Sequence, residues 1–228
     1  SLGSGDFIRE GDKQFEAGYF DLALMNYEKA IDLSPGYAAA WYGKGNVLAN
    51  TKKHTEALDC FNRSVEIDPA NAAAWNNKGA TLVELGRYKE ALVCYNNSID
   101  KASNYATPWS NKAEAFLFMG KYNDALICSN KSLKIDNSSA FSWSINGKAL
   151  IALGRYADSV DSFAKSLELN SANSDTWISK GNALGKLGRN GEALECYKKS
   201  AEIDPNKIDA LLAIGKVCLL LGQNENAI

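Results

Sequence analysis

Apolar and polar residues along this chain keep a helical rhythm that returns at a fixed interval. An aromatic residue or leucine is followed four positions on by glycine and three further by an apolar residue, as in Trp41/Gly45/Leu48, Trp75/Gly79/Leu82 and Trp177/Gly181/Leu184. Spacings of four and seven put the three on one face of an α-helix. A second pattern follows it: alanine, a bulky residue four on, and a small residue three further, as in Ala57/Phe61/Ser64, Ala91/Tyr95/Ser98 and Ala193/Tyr197/Ser200. Between the two patterns stands a glycine, at Gly18, Gly86, Gly120, Gly154, Gly188 and Gly222, suited to the left-handed residue that ends a helix. The whole pattern repeats every 34 residues, with all five tryptophans at one phase. Such a period predicts stacked pairs of antiparallel helices, because one pair is too small to bury its own apolar face.

The repeat divides the chain into units 4–37, 38–71, 72–105, 106–139, 140–173, 174–207 and a partial 208–228, read as a single array. Pro35, Pro69 and Pro205 fall at junctions between units, where no helix need continue, and Pro108 falls in the first turn of a first helix, where proline is tolerated. Glycine inside a helix costs about 1 kcal/mol. Its return at Gly11, Gly45, Gly79, Gly147, Gly181 and Gly215 predicts a partner helix packed too closely for a Cβ. The second unit has Thr51-Lys52-Lys53-His54 in place of the turn glycine, so its turn is expected to be irregular, with His54 on the surface. The opening Ser1-Leu2-Gly3 reads as a cleavage scar, and the end within a repeat reads as a fragment of a longer protein.

Composition narrows the chemistry. Net charge is −2 with acids and bases interspersed, which argues against nucleic acid as a partner. No apolar run approaches the length of a membrane span. Cys60, Cys94, Cys128 and Cys196 share one phase of the second helix. Equivalent positions in neighbouring units lie at least one helix-packing distance apart, roughly 8–10 Å, too far for a disulfide. They read as reduced helix residues, and a cytoplasmic location follows from that usage. His54, the single histidine, has no nucleophile or ligand motif around it, and no phosphate loop or dinucleotide fingerprint appears. The sequons at Asn62, Asn96 and Asn130 fall at one repeat phase and read as by-products of it. The segment is therefore expected to be non-enzymatic and to need no cofactor or metal.

The Trp…Gly…Leu, Ala…Phe/Tyr…Ala/Ser and terminal Pro pattern resembles the tetratricopeptide repeat family from residue 4 to 228. Ala113 departs from the glycine, and Ser103, Asn137 and Ser171 from the proline. Ser129 stands where a bulky residue is usual, so the fourth unit is expected to pack most loosely. Lys44, Lys78, Lys112 and Lys180 stand where leucine is usual, and their stems are expected to cover apolar surface. The resemblance implies an all-α, right-handed superhelical solenoid whose first helices line an inner groove, and a protein or peptide as ligand.

Helix arithmetic places that groove on the face opposite the Trp/Gly/Leu stripe. Its second and third units bring small residues and asparagines, including Gly43, Asn46, Asn50, Asn77 and Ala80. Asn111 and Phe118 follow, then Phe141, Ile145 and Lys148, then Asn182 and Lys186. A carboxamide bonds both N–H and C=O of an extended backbone, so Asn46, Asn50, Asn77 and Asn111 are candidates to hold a peptide main chain. Phe118, Phe141 and Ile145 are read as an apolar patch for one anchoring side chain, and Lys148 and Lys186 as partners of acidic groups. Asn182 belongs to the same stripe. The carboxylate clamp of chaperone-binding relatives is incomplete, because its lysine position reads Ile8, Tyr42, Asn76, Ser110, Ser144, Ile178 and Leu212. The asparagine ladder of the repeat arm in protein O-linked N-acetylglucosamine transferases is matched only at Asn77 and Asn111. Three readings stand: a protein-interaction scaffold with an inner peptide groove; the targeting arm of a larger enzyme such as a glycosyltransferase; and self-association through Cys218, Leu219, Leu220 and Leu221 at the C-terminal end.

Overall fold

A computed structural model of the protein describes residues 3–222; Ser1 and Leu2 of the expected scar and the 223–228 end of the last partial repeat lie outside the described residues. The described residues form thirteen α-helices and no strand. They are α1 (Ser4–Glu16), α2 (Phe20–Leu33), α3 (Ala38–Asn50), α4 (His54–Ile67), α5 (Ala72–Glu84), α6 (Tyr88–Lys101) and α7 (Thr107–Phe118). After them come α8 (Tyr122–Ile135), α9 (Ala140–Ala152), α10 (Tyr156–Leu169), α11 (Ser174–Lys186), α12 (Asn190–Ile203) and α13 (Ile208–Leu220). The chain divides inside α7 into two compact units, Ser1–Ala115 and Phe116–Ile228. In the first, α1 pairs with α2, α3 with α4 and α5 with α6, while α2 stacks on α3 and α4 on α5. In the second, α9 pairs with α10 and α11 with α12, with α8 against α9, α10 against α11 and α12 against α13.

The helix glycines are explained by aromatic rings. A Cβ on Gly11, Gly45, Gly79, Gly147 or Gly181 would stand 2.6–2.9 Å from a ring carbon of Tyr27, Phe61, Tyr95, Phe163 or Tyr197 respectively, closer than real Cβ atoms approach. Each ring belongs to the second helix of the same pair, so the missing side chain is what lets the two helices close. The small residue of the second helix completes the joint. Ser64, Ser98 and Ser166 donate to the carbonyls of Ala38, Ala72 and Ala140 at 3.1, 2.7 and 2.8 Å, fastening the second helix to the start of the first.

Tryptophan works at the junctions. The indole N–H of Trp41, Trp75, Trp143 and Trp177 donates to the carbonyl six residues earlier, at Pro35, Pro69, Asn137 and Ser171, over 2.9–3.0 Å. Each ring thereby pins the entry of its helix, with or without proline. The lysines one turn on behave as expected: Lys78, Lys112 and Lys180 lie 5.0–5.7 Å from the centroids of Trp75, Trp109 and Trp177, and Lys44 pairs with Glu28 at 2.9 Å.

One expectation is corrected here. The turn without glycine is not irregular. Lys52 itself takes φ +61°, beside +70° to +79° at the six turn glycines. Its bonds, Lys52 N–H to Ala49 O and Lys53 N–H to Leu48 O, match those of Gly86 to Val83 and Arg87 to Leu82. The fold therefore imposes the turn, at a backbone cost of about 1–2 kcal/mol for a residue with a Cβ. Ser129, at the phase of the bulky residue, has its own partners in the second unit. Ser129 is fully buried, and Asn146 fills the space by donating to Ser129 Oγ and Asn130 Oδ1 at 3.0 and 2.8 Å while accepting from Ser162 Oγ at 2.9 Å.

All five cysteines are free and buried. Burial pushes the Cys60 and Cys94 thiols up to about 11, so at neutral pH they keep their protons and pack as small apolar groups.

Candidate functional site

The asparagines expected to line the first helices meet in the unit spanning residues 3–115. Asn111 donates from Nδ2 to Asn76 Oδ1 at 3.0 Å, and Asn76 donates to Asn77 Oδ1 at 3.1 Å. Asn77 in turn donates to Tyr42 Oη at 3.1 Å and to Asn46 Oδ1 at 2.9 Å. A chain of carboxamides thus runs across α7, α5 and α3, every donor pointing toward the N-terminal pairs. Asn76 is its hidden link: 4% exposed and outside the predicted stripe, it would lose one of its two carboxamide partners if either neighbour were removed. The signal for it was present in the Asn76-Asn77 doublet, since adjacent residues on a helix reach two faces.

The members differ in the polar atoms they leave for a ligand. Asn77 has both N–H groups and one lone pair committed, so it mainly braces the chain. Asn46 keeps its whole amino group, because its Oδ1 alone is engaged. Asn50 is exposed, donates to the Asn46 carbonyl at 2.9 Å and keeps its Oδ1 outward. Asn111 keeps its Oδ1 and one N–H. These three are half-buried or exposed, Asn46 and Asn50 on α3 and Asn111 on α7.

Asn46, Asn50 and Asn77 border a cleft of about 590 Å³ that also touches Ala49, Lys52, His54, Phe61, Ala80, Thr81 and Glu84. Phe61, wholly buried, gives it an apolar base. His54 was expected on the surface of a turn. It is instead the first residue of α4, half-buried, with a shielded Nδ1 that has no hydrogen-bond partner. Its phase explains this, because Phe20, Tyr88, Tyr122 and Tyr156 open the second helices of other pairs. Gly43, expected to line the groove, is buried: a Cβ there would fall 2.3 Å from the Tyr27 ring.

In the unit spanning 116–222 the predicted residues are less gathered. Phe118 and Phe141 are 58% and 42% exposed, but Ile145 is 1% exposed. The expected three-residue apolar patch is therefore corrected, since Ile145 lies in the core of its unit and presents nothing to a ligand. Phe141 and Lys148 share a smaller cleft of about 240 Å³ with Ser144, Asp175 and Thr176. Asp175 is paired with Lys207 at 2.7 Å, which leaves Lys148 as the cleft's unneutralised charge among the described residues. Asn182 is exposed and accepts from Tyr197 Oη at 2.8 Å, and Lys186 is exposed one turn on.

Cys218, expected among residues for self-association, is fully buried, while Leu212, Leu219 and Leu220 of α13 are 63–68% exposed. Among the described residues no group of His, Cys, Asp and Glu is arranged to hold a metal ion, and no helix is long and apolar enough to cross a membrane.

Comparison with known proteins accords with this architecture. Models of the tetratricopeptide repeat match residues 8–72, 60–93 and 106–139, and a TPR repeat model matches 181–222. A search of curated proteins finds no match. Among solved structures, the chain is similar to one in the APC/C hetero-tetramer Cut9–Hcn1, with TM-score 0.86 and 15% identity over 94% of this chain and 43% of that one. It thus spans less than half the length of that relative. It is also similar to pilF of Pseudomonas aeruginosa, with TM-score 0.80 and 18% identity over 91% of this chain and 94% of that one. YrrB, a TPR protein with an unusual peptide-binding site, matches with TM-score 0.62 and 20% identity over 82% of this chain and 96% of that one. At these identities the likeness speaks for the fold, an all-α solenoid of helix pairs. The repeat models along the chain and the residues that carry its helix pairs make it a member of the tetratricopeptide repeat family.

Proposed function

We propose that the face formed by α3, α5 and α7 binds an extended peptide through its main chain. The observation that carries this reading is the carboxamide chain, which leaves unclaimed donors at Asn46 and unclaimed acceptors at Asn50 and Asn111 on a surface walled by small residues. Backbone amides of a peptide supply the matching C=O and N–H, and each hydrogen bond contributes about 1 kcal/mol net. The cleft over Phe61 then takes one apolar side chain. The fold is typical of protein-interaction scaffolds, tetratricopeptide proteins being generally non-enzymatic, and YrrB offers a precedent for peptide binding. In the second unit, Phe141 and Lys148 would receive an apolar and an acidic side chain.

The test is affinity for peptides selected from a random library on this protein. Replacing Asn50 and Asn111 together by alanine is expected to weaken binding about tenfold or more, by removing two hydrogen bonds. Unchanged affinity removes the assignment. Asn77 is the wrong choice for this test, because its loss breaks three hydrogen bonds of the carboxamide chain at once, where Asn111 breaks one.

Self-association is the second reading, favoured by the leucines of α13. Leu212 stands at the phase where Asn76, Ser110 and Ser144 are 2–8% exposed, so a further repeat-like helix fits over it. Sedimentation of Leu212→Glu beside the parent decides: a parent that is monomeric at every concentration rejects this reading.

A further inference from the structure

The second-helix aromatics follow a rule that one pair breaks. Tyr27 Oη donates to Asp12 Oδ1 at 2.7 Å, and Tyr197 Oη donates to Asn182 Oδ1 at 2.8 Å. In both, the acceptor stands fifteen residues earlier, on the first helix of the same pair and on the face opposite its glycine stripe. Each hydroxyl crosses between helices and finishes on that face. Where the ring is phenylalanine no such bond forms: Phe61 stands fifteen residues after Asn46, and Phe163 fifteen after Lys148, which cannot accept.

Tyr95 is the exception. Its ring lies over Gly79 as the others lie over theirs, 2.6 Å from where a Cβ would be. The residue fifteen earlier is Ala80, which has no acceptor and borders the cleft beside Asn77. Tyr95 is 1% exposed, and no hydrogen bond engages its side chain among the described residues. Its oxygen is nevertheless not sealed off, because the fully shielded unpaired side-chain atoms there are His54 Nδ1 and Ser200 Oγ. The fold already accepts phenylalanine at this position in α4 and α10, and a hydroxyl left to water alone makes no hydrogen bond within the fold. The hydroxyl brings packing nothing that phenylalanine lacks.

We infer that Tyr95 is a ligand-binding residue of the α3–α5–α7 face, its hydroxyl donating to a peptide carbonyl laid across Ala80. The inference rests on the groove reading and sharpens it. Glu84 borders the same cleft, so the site combines a donor with a carboxylate. That pairing suits an amide group, whose oxygen takes the hydroxyl proton while its N–H faces the acidic side. Ala80 is small because the ligand backbone passes there.

Two measurements decide. With tyrosines labelled at 13Cζ, N-methylacetamide is titrated in as a mimic of the peptide bond. The Tyr95 resonance, assigned by its absence in Tyr95→Phe, is expected to move, while Tyr27 and Tyr197 stay still because Asp12 and Asn182 hold their hydroxyls. Ala80→Asn supplies the missing acceptor and is expected to silence Tyr95. A Tyr95 resonance as unresponsive as Tyr27 overturns the inference, whatever the groove does. With a library-selected peptide, Tyr95→Phe is expected to weaken binding about 5- to 10-fold without lowering the unfolding midpoint, while Tyr197→Phe leaves affinity alone. A peptide that loses affinity on Asn50 and Asn111 replacement but not on Tyr95→Phe refutes this inference and spares the groove. A peptide indifferent to the asparagines refutes the groove, and the amide titration still judges Tyr95.

Discussion

In residues 3–115, Asn46, Asn77 and Asn111 stand half-buried along the first helices, and two of the three retain polar atoms that no neighbour uses. In residues 116–222, Asn146 is 4% exposed, with both N–H groups given to Ser129 and Asn130 and its oxygen taken by Ser162. Repeat phase separates the two fates. Asn146 occupies the position of Lys44, Lys78, Lys112 and Lys180, and it turns inward because Ser129 leaves room where other pairs have an aromatic ring. Its partner Ser162 likewise stands at the phase of the cysteines. A carboxamide with every atom engaged holds the fold; one with atoms left over on an open face is equipped to hold something else.

The contrast can be broken by thermodynamics. Asn146→Ala is expected to cost about 2–4 kcal/mol in urea unfolding, since it leaves a small void and removes three hydrogen bonds, two of them to buried serines. Asn50→Ala, exposed and bonded only to its own helix, is expected to stay within about 0.5 kcal/mol. Equal costs would mean that the groove asparagines are structural too.

Alkali gives the next effect. Below about pH 9 the Cys60 and Cys94 thiols are protonated whether the chain is folded or not, and their contribution to stability is whole. Between pH 9 and about 11 the unfolded thiols ionise while burial keeps the folded ones neutral, so stability falls by about 1.4 kcal/mol per pH unit for each cysteine. Unfolding midpoints at pH 8 and pH 10 should differ in the parent and differ less in Cys60→Ala/Cys94→Ala. Smaller still is Lys52→Gly, expected to raise stability by about 0.5–1 kcal/mol through release of the left-handed strain. A neutral or negative change would show that Lys52 is held by contacts that outweigh the strain.

Much of this was legible in the sequence, and the failures have physical causes. Period and phase announce the helix pairs, and the glycine at 79 forecasts a close partner, which proves to be the Tyr95 ring. Turn shape misled at Lys52, because the flanking helices fix the turn and local preference only sets its strain. Ile145 misled because the same face arithmetic that exposes Asn77 leaves position 145 buried in its own unit. The engagement of Asn77 with Asn46 and of Asn111 with Asn76, and the freedom of the Tyr95 hydroxyl, depend on distances between helices that no pattern of letters contains.

The most direct measurement is a side-chain amide map by NMR as a selected peptide is added. Shifts concentrated on the carboxamides of Asn46, Asn50 and Asn111, with Asn146 unmoved, are what the groove requires. Shifts confined to the outer helices α4 and α6, with those asparagines silent, would contradict it.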